Sequence, residues 1–316
     1  MKEEKEYVAT RNACKLCTPL GACLAYKGIE GCVPLIHGSQ GCATYIRRYM
    51  ISHFREPVDI ASSNFSEEST IFGGKANCHS ALTNIITQYQ PRVVALTTTC
   101  LSETIGDDVQ GFINEFTAES EINPLPVFIH ASTPSYQGTH ADGFFEATMA
   151  AVKQLAVRTK PTNHINLFPG MFSPADLRYL KAVTKAYGLD SVLLPDYSET
   201  LDGSSWSEYK RIPDGGTRIE DIRRTADAMV SIEFGTVFNK AGQSNLKKSS
   251  SGQHKASTFL EEAFGVPSIQ MGWPLGVEAC DRFFRTLSEL TGLERPIEFE
   301  QERGRLIDAY ADGHKY

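Results

Sequence analysis

The chain has 316 residues, enough for two domains of ordinary size and for a hydrophobic core that needs no disulfide bonds. Its 31 basic and 38 acidic residues give a formal net charge of -7, which argues against a nucleic-acid-binding protein. No run of about 18 apolar residues predicts a membrane span, and the charged first residues (MKEEKEY) are unlike a signal peptide. We therefore expect a cytoplasmic protein that binds neither nucleic acid nor membrane.

Short apolar runs rich in β-branched residues predict buried parallel strands. These runs cover residues 33–36, 92–97, 126–130, 163–168, 191–194 and 228–234. Amphipathic segments between them predict helices that pack on the sheets. These segments cover residues 76–89, 143–157, 174–187 and 219–228. The alternation predicts an α/β fold of doubly wound, parallel-sheet (Rossmann-like) domains.

A basic, proline-containing segment, RTKPT at 158–162, separates one helix from the next strand and predicts a domain boundary. We expect a first α/β domain over residues 1–160 and a second over 161–296. Residues 297–316 predict a long charged helix that links to a further domain outside this chain. The polar segment 242–254 predicts an exposed loop.

Cysteine is the unusual residue, with 8 in the chain and five of them within the first 42 positions. In a reducing cytoplasm such crowding favours metal binding or redox chemistry over disulfide bonds. Cys14 and Cys17 form a C-x-x-C pair, but no second pair at zinc-finger spacing accompanies it, and no strand precedes it as in a thioredoxin-like site. A ferredoxin-type run of cysteines is also absent from the sequence.

Ligands in doubly wound folds bind outside the carboxyl ends of the strands. Cys42, Cys100 and Ser135 each follow a predicted strand, and Cys17 lies where a loop meets a predicted helix. Three thiolates are fewer than the four that a four-iron cluster usually takes. Either a fourth ligand comes from elsewhere in the chain, or a partner chain completes the site.

The remaining cysteines fit a hydrophobic core, where free cysteine is common. Cys23, Cys78 and Cys280 lie inside helical patterns, and Cys32 is ambiguous because it opens a strand.

Several motifs in fixed order resemble the β-type subunits of nitrogenase component 1. They are HGSQGC at 37–42, HFREP at 53–57, FGG at 72–74 and TTCLSETIGDD at 98–108. The resemblance runs from Cys17 through TPSY at 133–136 to RGRL at 303–306. It implies the doubly wound fold of the nitrogenase component 1 type. Members usually have three α/β domains, and this chain matches two of them and a linking helix.

The resemblance implies a cofactor and its ligands. Cys17, Cys42 and Cys100 match the three cysteines with which β subunits hold half of an interfacial iron-sulfur cluster, either the eight-iron P-cluster or a 4Fe-4S cluster. Ser135 matches a serine that adds a ligand to the oxidised cluster in some members. Three further cysteines would come from an α-type subunit, in an α2β2 assembly.

The implied function is electron relay from an ATP-hydrolysing iron protein to a catalytic cofactor in the α-type subunit. The sequence has no G-x-x-x-x-G-K-[ST] phosphate loop, so ATP hydrolysis would belong to that separate protein. Two alternatives stay open: a scaffold subunit for iron-molybdenum cofactor biosynthesis, and an α/β protein that lost its cluster and serves only as an interface. The short arm before Cys17 favours the scaffold and reductase relatives, whereas the presence of Cys100 permits an electron-transferring cluster.

Other polar residues near the motifs have two interpretations each. His37 is either a hydrogen-bond donor to a cluster sulfur or a structural donor at a strand end. Arg47, Arg48 and Arg55 either offset the charge of an anionic cluster or form a solvated or interface surface. For Glu103, Asp107 and Asp108 we prefer capping of helix amino termini over a carboxylate metal site.

Overall fold

The structure is a computed structural model that describes residues 16–235 and 255–314. Within those ranges the strands form two four-stranded parallel sheets, with strand orders β2-β1-β3-β4 and β6-β5-β7-β8. The predicted α/β fold with doubly wound parallel sheets is confirmed. The strands are β1 (Cys32–His37), β2 (Ala61–Ser62), β3 (Val93–Thr98), β4 (Val127–Ala131), β5 (Ile165–Phe168), β6 (Ser191–Leu193), β7 (Val230–Phe234) and β8 (Ser268–Met271).

Helices connect the strands and cover both faces of each sheet. None of the helices in the described ranges is both long and apolar enough to cross a membrane. A short 3-10 segment (Arg224–Asp227) follows α9. The helices are α1 (Thr18–Lys27), α2 (Gln40–Met50), α3 (Glu67–Phe72), α4 (Lys75–Tyr89), α5 (Cys100–Ile105), α6 (Val109–Glu119), α7 (His140–Leu155), α8 (Pro174–Ala186), α9 (Ile219–Arg223), α10 (Ala256–Phe264), α11 (Gly276–Thr291) and α12 (Ile297–Gly313).

The central strands are the elements that the sequence predicts most clearly. Every residue of β1, β3, β5 and β7 is buried, because helices cover these strands on both faces. In the first sheet, β1 and β3 pair from Cys32 beside Val93 to His37 beside Thr98. The two strands therefore end at the same level, and the segments that follow them leave the sheet side by side.

The predicted strands and helices are present in the structure, with ends that shift by a few residues, whereas helices α3 and α10 were not predicted. The strands β2 and β8 were not predicted: β2 has only two residues, and β8 is an edge strand whose side chains are mostly half-buried or exposed. The predicted helix at 219–228 is too long, since α9 ends at Arg223 and the backbone tightens to the 3-10 segment. The long charged helix predicted over residues 297–316 corresponds to α12. The predicted loop at 242–254 lies outside the described residues.

Helices α1 and α7 approach each other closely through two glycines. A Cβ on Gly21 would lie 1.7 Å from the carbonyl oxygen of His140, and a Cβ on Gly143 would lie 1.9 Å from that of Thr18. Any side chain at either position would force the helices apart. Because Cys17 directly precedes α1, this contact fixes where Cys17 lies.

Helix α7 also joins the two sheets, since it packs against β4 on one side and against α9 and α10 on the other. One continuous hydrophobic core extends from Leu20 in α1 to Phe299 in α12. A smaller core lies on the other face of the first sheet, between α4 and α6. The chain passes from the first sheet to the second between α7 and β5, where we predict the domain boundary. The division into residues 1–160, 161–296 and 297–316 stays a prediction.

Candidate functional site

The four candidate ligands lie together at the carboxyl edge of the first sheet. Cys42 is the third residue of α2, which follows β1, and Cys100 is the first residue of α5, which follows β3. Ser135 lies in the loop after β4, and Cys17 is the N-cap residue of α1. This edge of the sheet, with these four residues, is the cysteine edge.

Ser135 makes one hydrogen bond to the segment that contains Cys17 and one to Cys100 itself. The backbone N–H of Ser135 donates to Sγ of Cys100 over 3.2 Å. The Oγ atom of Ser135 accepts from the backbone N–H of Thr18, the residue after Cys17, over 3.3 Å. Ser135 thus lies between the segments that carry Cys17 and Cys100. The sequence contains no signal for the role of Thr18.

Cys42 is close enough to the other two thiols for their charges to interact. Burial raises the pKa of the Cys42 thiol, and the Cys17 and Cys100 thiols raise it further because three neighbouring thiolates repel one another. The positive charge of a bound metal would offset this repulsion and hold the three thiols in the deprotonated form. The side chains of Cys17 and Cys42 are exposed and that of Cys100 is half-buried, so a ligand can reach them.

The chemistry of the donor set indicates which metal group the cysteine edge could hold. In residues 16–235 and 255–314, no three His, Cys, Asp or Glu side chains are grouped closely enough to hold a single metal ion. In a cluster of several irons, each iron takes its own thiolate, and the cysteine edge supplies three thiols. The thiols of the cysteine edge therefore fit an iron-sulfur cluster.

A close backbone contact fixes the segment of Cys42 against that of Cys100. A Cβ on Gly38 would lie 2.2 Å from Oγ1 of Thr99, so only glycine fits at this position. Thr99 in turn caps α5 and donates from Oγ1 to the carbonyl oxygen of His37 over 3.2 Å. Ser39 caps α2, and its Oγ accepts from the N–H of Gly41.

Of the two interpretations of His37, the structure supports a structural hydrogen-bond donor at the end of a strand. Its Nε2 lies 2.9 Å from Oδ2 of Asp107, and its side chain has no solvent exposure. Burial lowers the pKa of His37, and the Asp107 carboxylate offsets part of that change. The ring is therefore neutral near pH 7, with Nε2 donating to the carboxylate rather than to a sulfur.

The acidic residues after Cys100 have separate partners. Asp108 caps α6 as predicted, accepting from the N–H of Gly111 over 2.9 Å. The capping prediction is wrong for Asp107, which accepts from His37 and from the N–H of Gly74 at the start of α4. Glu103 lies in the first turn of α5, as expected for an acidic residue, and its carboxylate accepts from two hydroxyl groups.

The other cysteines and the arginines have partners or surroundings of their own. Cys23 and Cys78 are buried in the core as predicted, and Cys32 is buried in β1. The core prediction holds only in part for Cys280, which is half-buried and donates to the carbonyl oxygen of Pro274. Cys14 lies outside the described residues. Arg47 and Arg55 bind carbonyl oxygens, of Val58 and Gly203 respectively, and Arg48 is exposed, in line with a solvated or interface surface.

Exposed apolar side chains surround the cysteine edge. Tyr45 and Tyr49 follow Cys42 by three and seven residues, so all three lie along one exposed stripe of α2, beside its buried side chains. Ile71 and Phe72, at the end of α3, are 74% and 82% exposed, and α3 packs against α5. Tyr136, 62% exposed, follows Ser135. These five side chains, four aromatic and one aliphatic, are called the aromatic rim of the cysteine edge, and exposed apolar surfaces of this type mark protein contacts.

Comparison with known proteins identifies the family. The family model of the nitrogenase component 1 type oxidoreductase matches residues 17–316. The chain is 38% identical to the nitrogenase molybdenum-iron protein beta chain of Clostridium pasteurianum over 317 aligned residues, which cover 100% of this chain and 66% of the relative. It is 33% identical to the nitrogenase vanadium-iron protein beta chain of Trichormus variabilis, covering 99% of this chain and 65% of the relative.

A solved structure agrees with these matches. The chain superposes on one described as "Nitrogenase Cp1 at pH 6.5" with a TM-score of 0.90 and 37% identity, covering 100% of this chain and 66% of that one. This chain thus spans slightly less than two thirds of the length of these relatives. Both the sequence matches and the shared fold lead to one conclusion: the chain belongs to the nitrogenase component 1 type oxidoreductase family.

Proposed function

We propose that this chain is a β-type subunit of a nitrogenase-like oxidoreductase and that Cys17, Cys42 and Cys100 hold half of an interfacial iron-sulfur cluster. The observation that carries the proposal is that these three thiols lie at one accessible edge of the sheet, close enough for the charges of Cys17 and Cys100 to act on Cys42. The named relatives support it, since they are beta chains of molybdenum-iron and vanadium-iron nitrogenase proteins.

The cysteine edge has the properties expected of half a site. It supplies three thiols, and its side chains remain open to solvent although the strands beneath them are buried. The aromatic rim around it would be covered by a second protein, because exposed aromatic groups of this kind are enriched at protein contacts. An α-type subunit that brings its own thiolates would complete both the ligand set and the buried surface, in an α2β2 assembly.

Each residue of the edge has a role in this proposal. Cys17 is the N-cap residue of α1 and Cys42 lies in the first turn of α2, so both are at helix amino termini, where the helix dipole favours an anionic group such as an iron-sulfur cluster. The N–H of Ser135 stabilises the thiolate of Cys100. Ser135 Oγ lies between the Cys17 and Cys100 segments, the position from which an added oxygen ligand would reach a cluster. When bound, an iron-sulfur cluster supplies one-electron transfer.

The electrons would come from a separate ATP-hydrolysing iron protein, because the sequence lacks a phosphate-binding loop of its own. They would pass to a catalytic cofactor in the α-type subunit, so the substrate chemistry would take place in the other chain. We place this relay in the cytoplasm, where thiols stay reduced and available for iron.

The test is anaerobic purification of the chain with the α-type subunit of the same organism, followed by iron analysis and EPR spectroscopy. The proposal predicts a coloured complex that reduces acetylene when the iron protein and ATP are added. A complex that holds iron but reduces no substrate would identify the alternative, a scaffold for iron-molybdenum cofactor biosynthesis. A colourless complex without iron would contradict both and leave the cluster-free interface protein.

A further inference from the structure

Glu103 ties together the ends of two neighbouring strands at the cysteine edge. Its Oε1 atom accepts a hydrogen bond from Oγ1 of Thr98, the last residue of β3, and a second from Oγ of Ser132, directly after β4, over 2.6 Å. Both donors reach the same carboxylate oxygen. Glu103 follows Cys100 by three residues, so the two side chains lie on the same side of α5.

Further hydrogen bonds join Thr98 to the loop after β4, which contains Ser135. Thr98 Oγ1 accepts from the N–H of Thr133 over 2.8 Å, and Oγ1 of Thr133 donates to the carbonyl oxygen of Thr98 over 2.9 Å. Thr133 is two residues before Ser135, whose N–H donates to Sγ of Cys100. Thr133 Oγ1 also shares a hydrogen bond with Oγ1 of Thr97 in β3. The loop after β4 is thus held on β3 through Thr133, and Ser132 adds a separate link to Glu103 in α5.

We propose that Glu103 is a positioning residue that keeps the Ser135 N–H on the sulfur of Cys100, and so sets the reduction potential of a cluster bound there. The inference rests on the proposed function. Hydrogen bonds to a metal-bound thiolate withdraw charge from the sulfur and raise the reduction potential of the cluster. If the bridge from Glu103 is lost, the loop moves away from β3, the N–H···S bond lengthens, and the potential falls.

The experiment compares Glu103→Ala with Glu103→Gln in the complex assembled with the α-type subunit. The glutamine keeps an oxygen that accepts both hydroxyl groups, whereas the alanine removes the acceptor. Iron content is measured first, and an EPR-monitored redox titration then gives the midpoint potential. Glu119→Ala, at the exposed end of α6, is the matched control for removal of one negative charge.

We expect full iron content in all variants, a more negative midpoint potential in Glu103→Ala, and a potential close to wild type in Glu103→Gln and Glu119→Ala. An unchanged potential in Glu103→Ala would overturn the inference, and so would an equal shift in Glu103→Gln. If Glu103→Ala holds no iron, Ser132→Ala decides, since it removes one hydroxyl and leaves the carboxylate: a more negative potential supports the inference, and an unchanged one overturns it. A wild-type complex without iron contradicts the proposed function itself, which separates the two failures.

Discussion

Nε2 of His37 donates a hydrogen bond to Oδ2 of Asp107 over 2.9 Å, and the two side chains are 0% and 5% exposed. The same carboxylate accepts from the N–H of Gly74. One buried acid therefore connects the end of β1, the segment after α5 and the start of α4. Two of the sequence motifs, HGSQGC and TTCLSETIGDD, meet at this hydrogen bond.

Replacing Asp107 by alanine should destabilise the first sheet. The change leaves a buried imidazole N–H and a backbone N–H without their acceptor, which should lower the free energy of unfolding by about 3 kcal/mol. Urea unfolding followed by circular dichroism measures the loss. Asp308→Ala, on the exposed face of α12, is the control and should change the free energy of unfolding by less than about 0.5 kcal/mol. Equal stability of the two variants would show that the His37–Asp107 contact has no such role.

Glu233 should make stability depend on pH. This side chain is 1% exposed, and burial raises its pKa, while the hydrogen bond from Ser257 and the charge of Lys255 lower it. The folded state therefore holds the proton more tightly than the unfolded state, where the pKa is about 4.3. The contribution of the protonated acid to stability is complete below that value and is lost as pH rises through the folded pKa.

The variant Glu233→Gln stays neutral at every pH and should lack this fall in the free energy of unfolding. Urea unfolding at a series of pH values, from about 4.5 upward, measures the slope for wild type and variant. Glu261→Gln, exposed on α10, the helix that contains Ser257, should keep the slope of wild type. A slope that Glu233→Gln leaves unchanged would assign the pH dependence to other groups.

Two glycine-to-alanine changes, one at the α1–α7 contact and one in α12, should change stability in opposite directions. Gly21→Ala places a methyl group 1.7 Å from a carbonyl oxygen of the other helix and should cost about 3 kcal/mol of stability, because the helices must separate. Gly304→Ala, in α12, meets nothing within 4 Å and should stabilise the chain by about 0.5–1 kcal/mol. Thermal unfolding of both variants measures the difference. Two shifts of the same sign would contradict the α1–α7 contact.

The aromatic rim should determine affinity for the α-type subunit. Phe72 is 82% exposed, so Phe72→Asp should leave the fold intact and weaken binding at least about tenfold if a partner buries this side chain. Leu293→Asp, 52% exposed between α11 and α12, introduces the same charge away from the rim and serves as control. Binding is measured by titration calorimetry under anaerobic conditions. Equal affinities of the two variants would place the contact elsewhere.

The sequence was sufficient for the central strands, because β1 and β3 are buried throughout and are apolar up to the polar residues at their ends, His37 in β1 and Thr97 and Thr98 in β3. The edge strand β8 was not predicted, because its partly exposed positions include polar residues and its sequence is not a continuous apolar run. At the site, strand ends pointed to Cys42, Cys100 and Ser135. The contact between Ser135 N–H and Cys100 Sγ could not be predicted, because it depends on the register of β3 against β4, which tertiary packing sets. The bridge from Glu103 depends on the same register.

The account depends most on the three cysteines at one edge. The decisive measurement is the iron content and EPR spectrum of the anaerobically purified complex that carries Cys42→Ala and Cys100→Ala together. Cys280→Ser, which changes a half-buried thiol in α11 remote from this edge, is the control. We predict that the double variant loses the iron and the EPR signal of the interfacial cluster while Cys280→Ser keeps both. Iron content and an EPR signal equal to wild type in the double variant would contradict the ligand assignment.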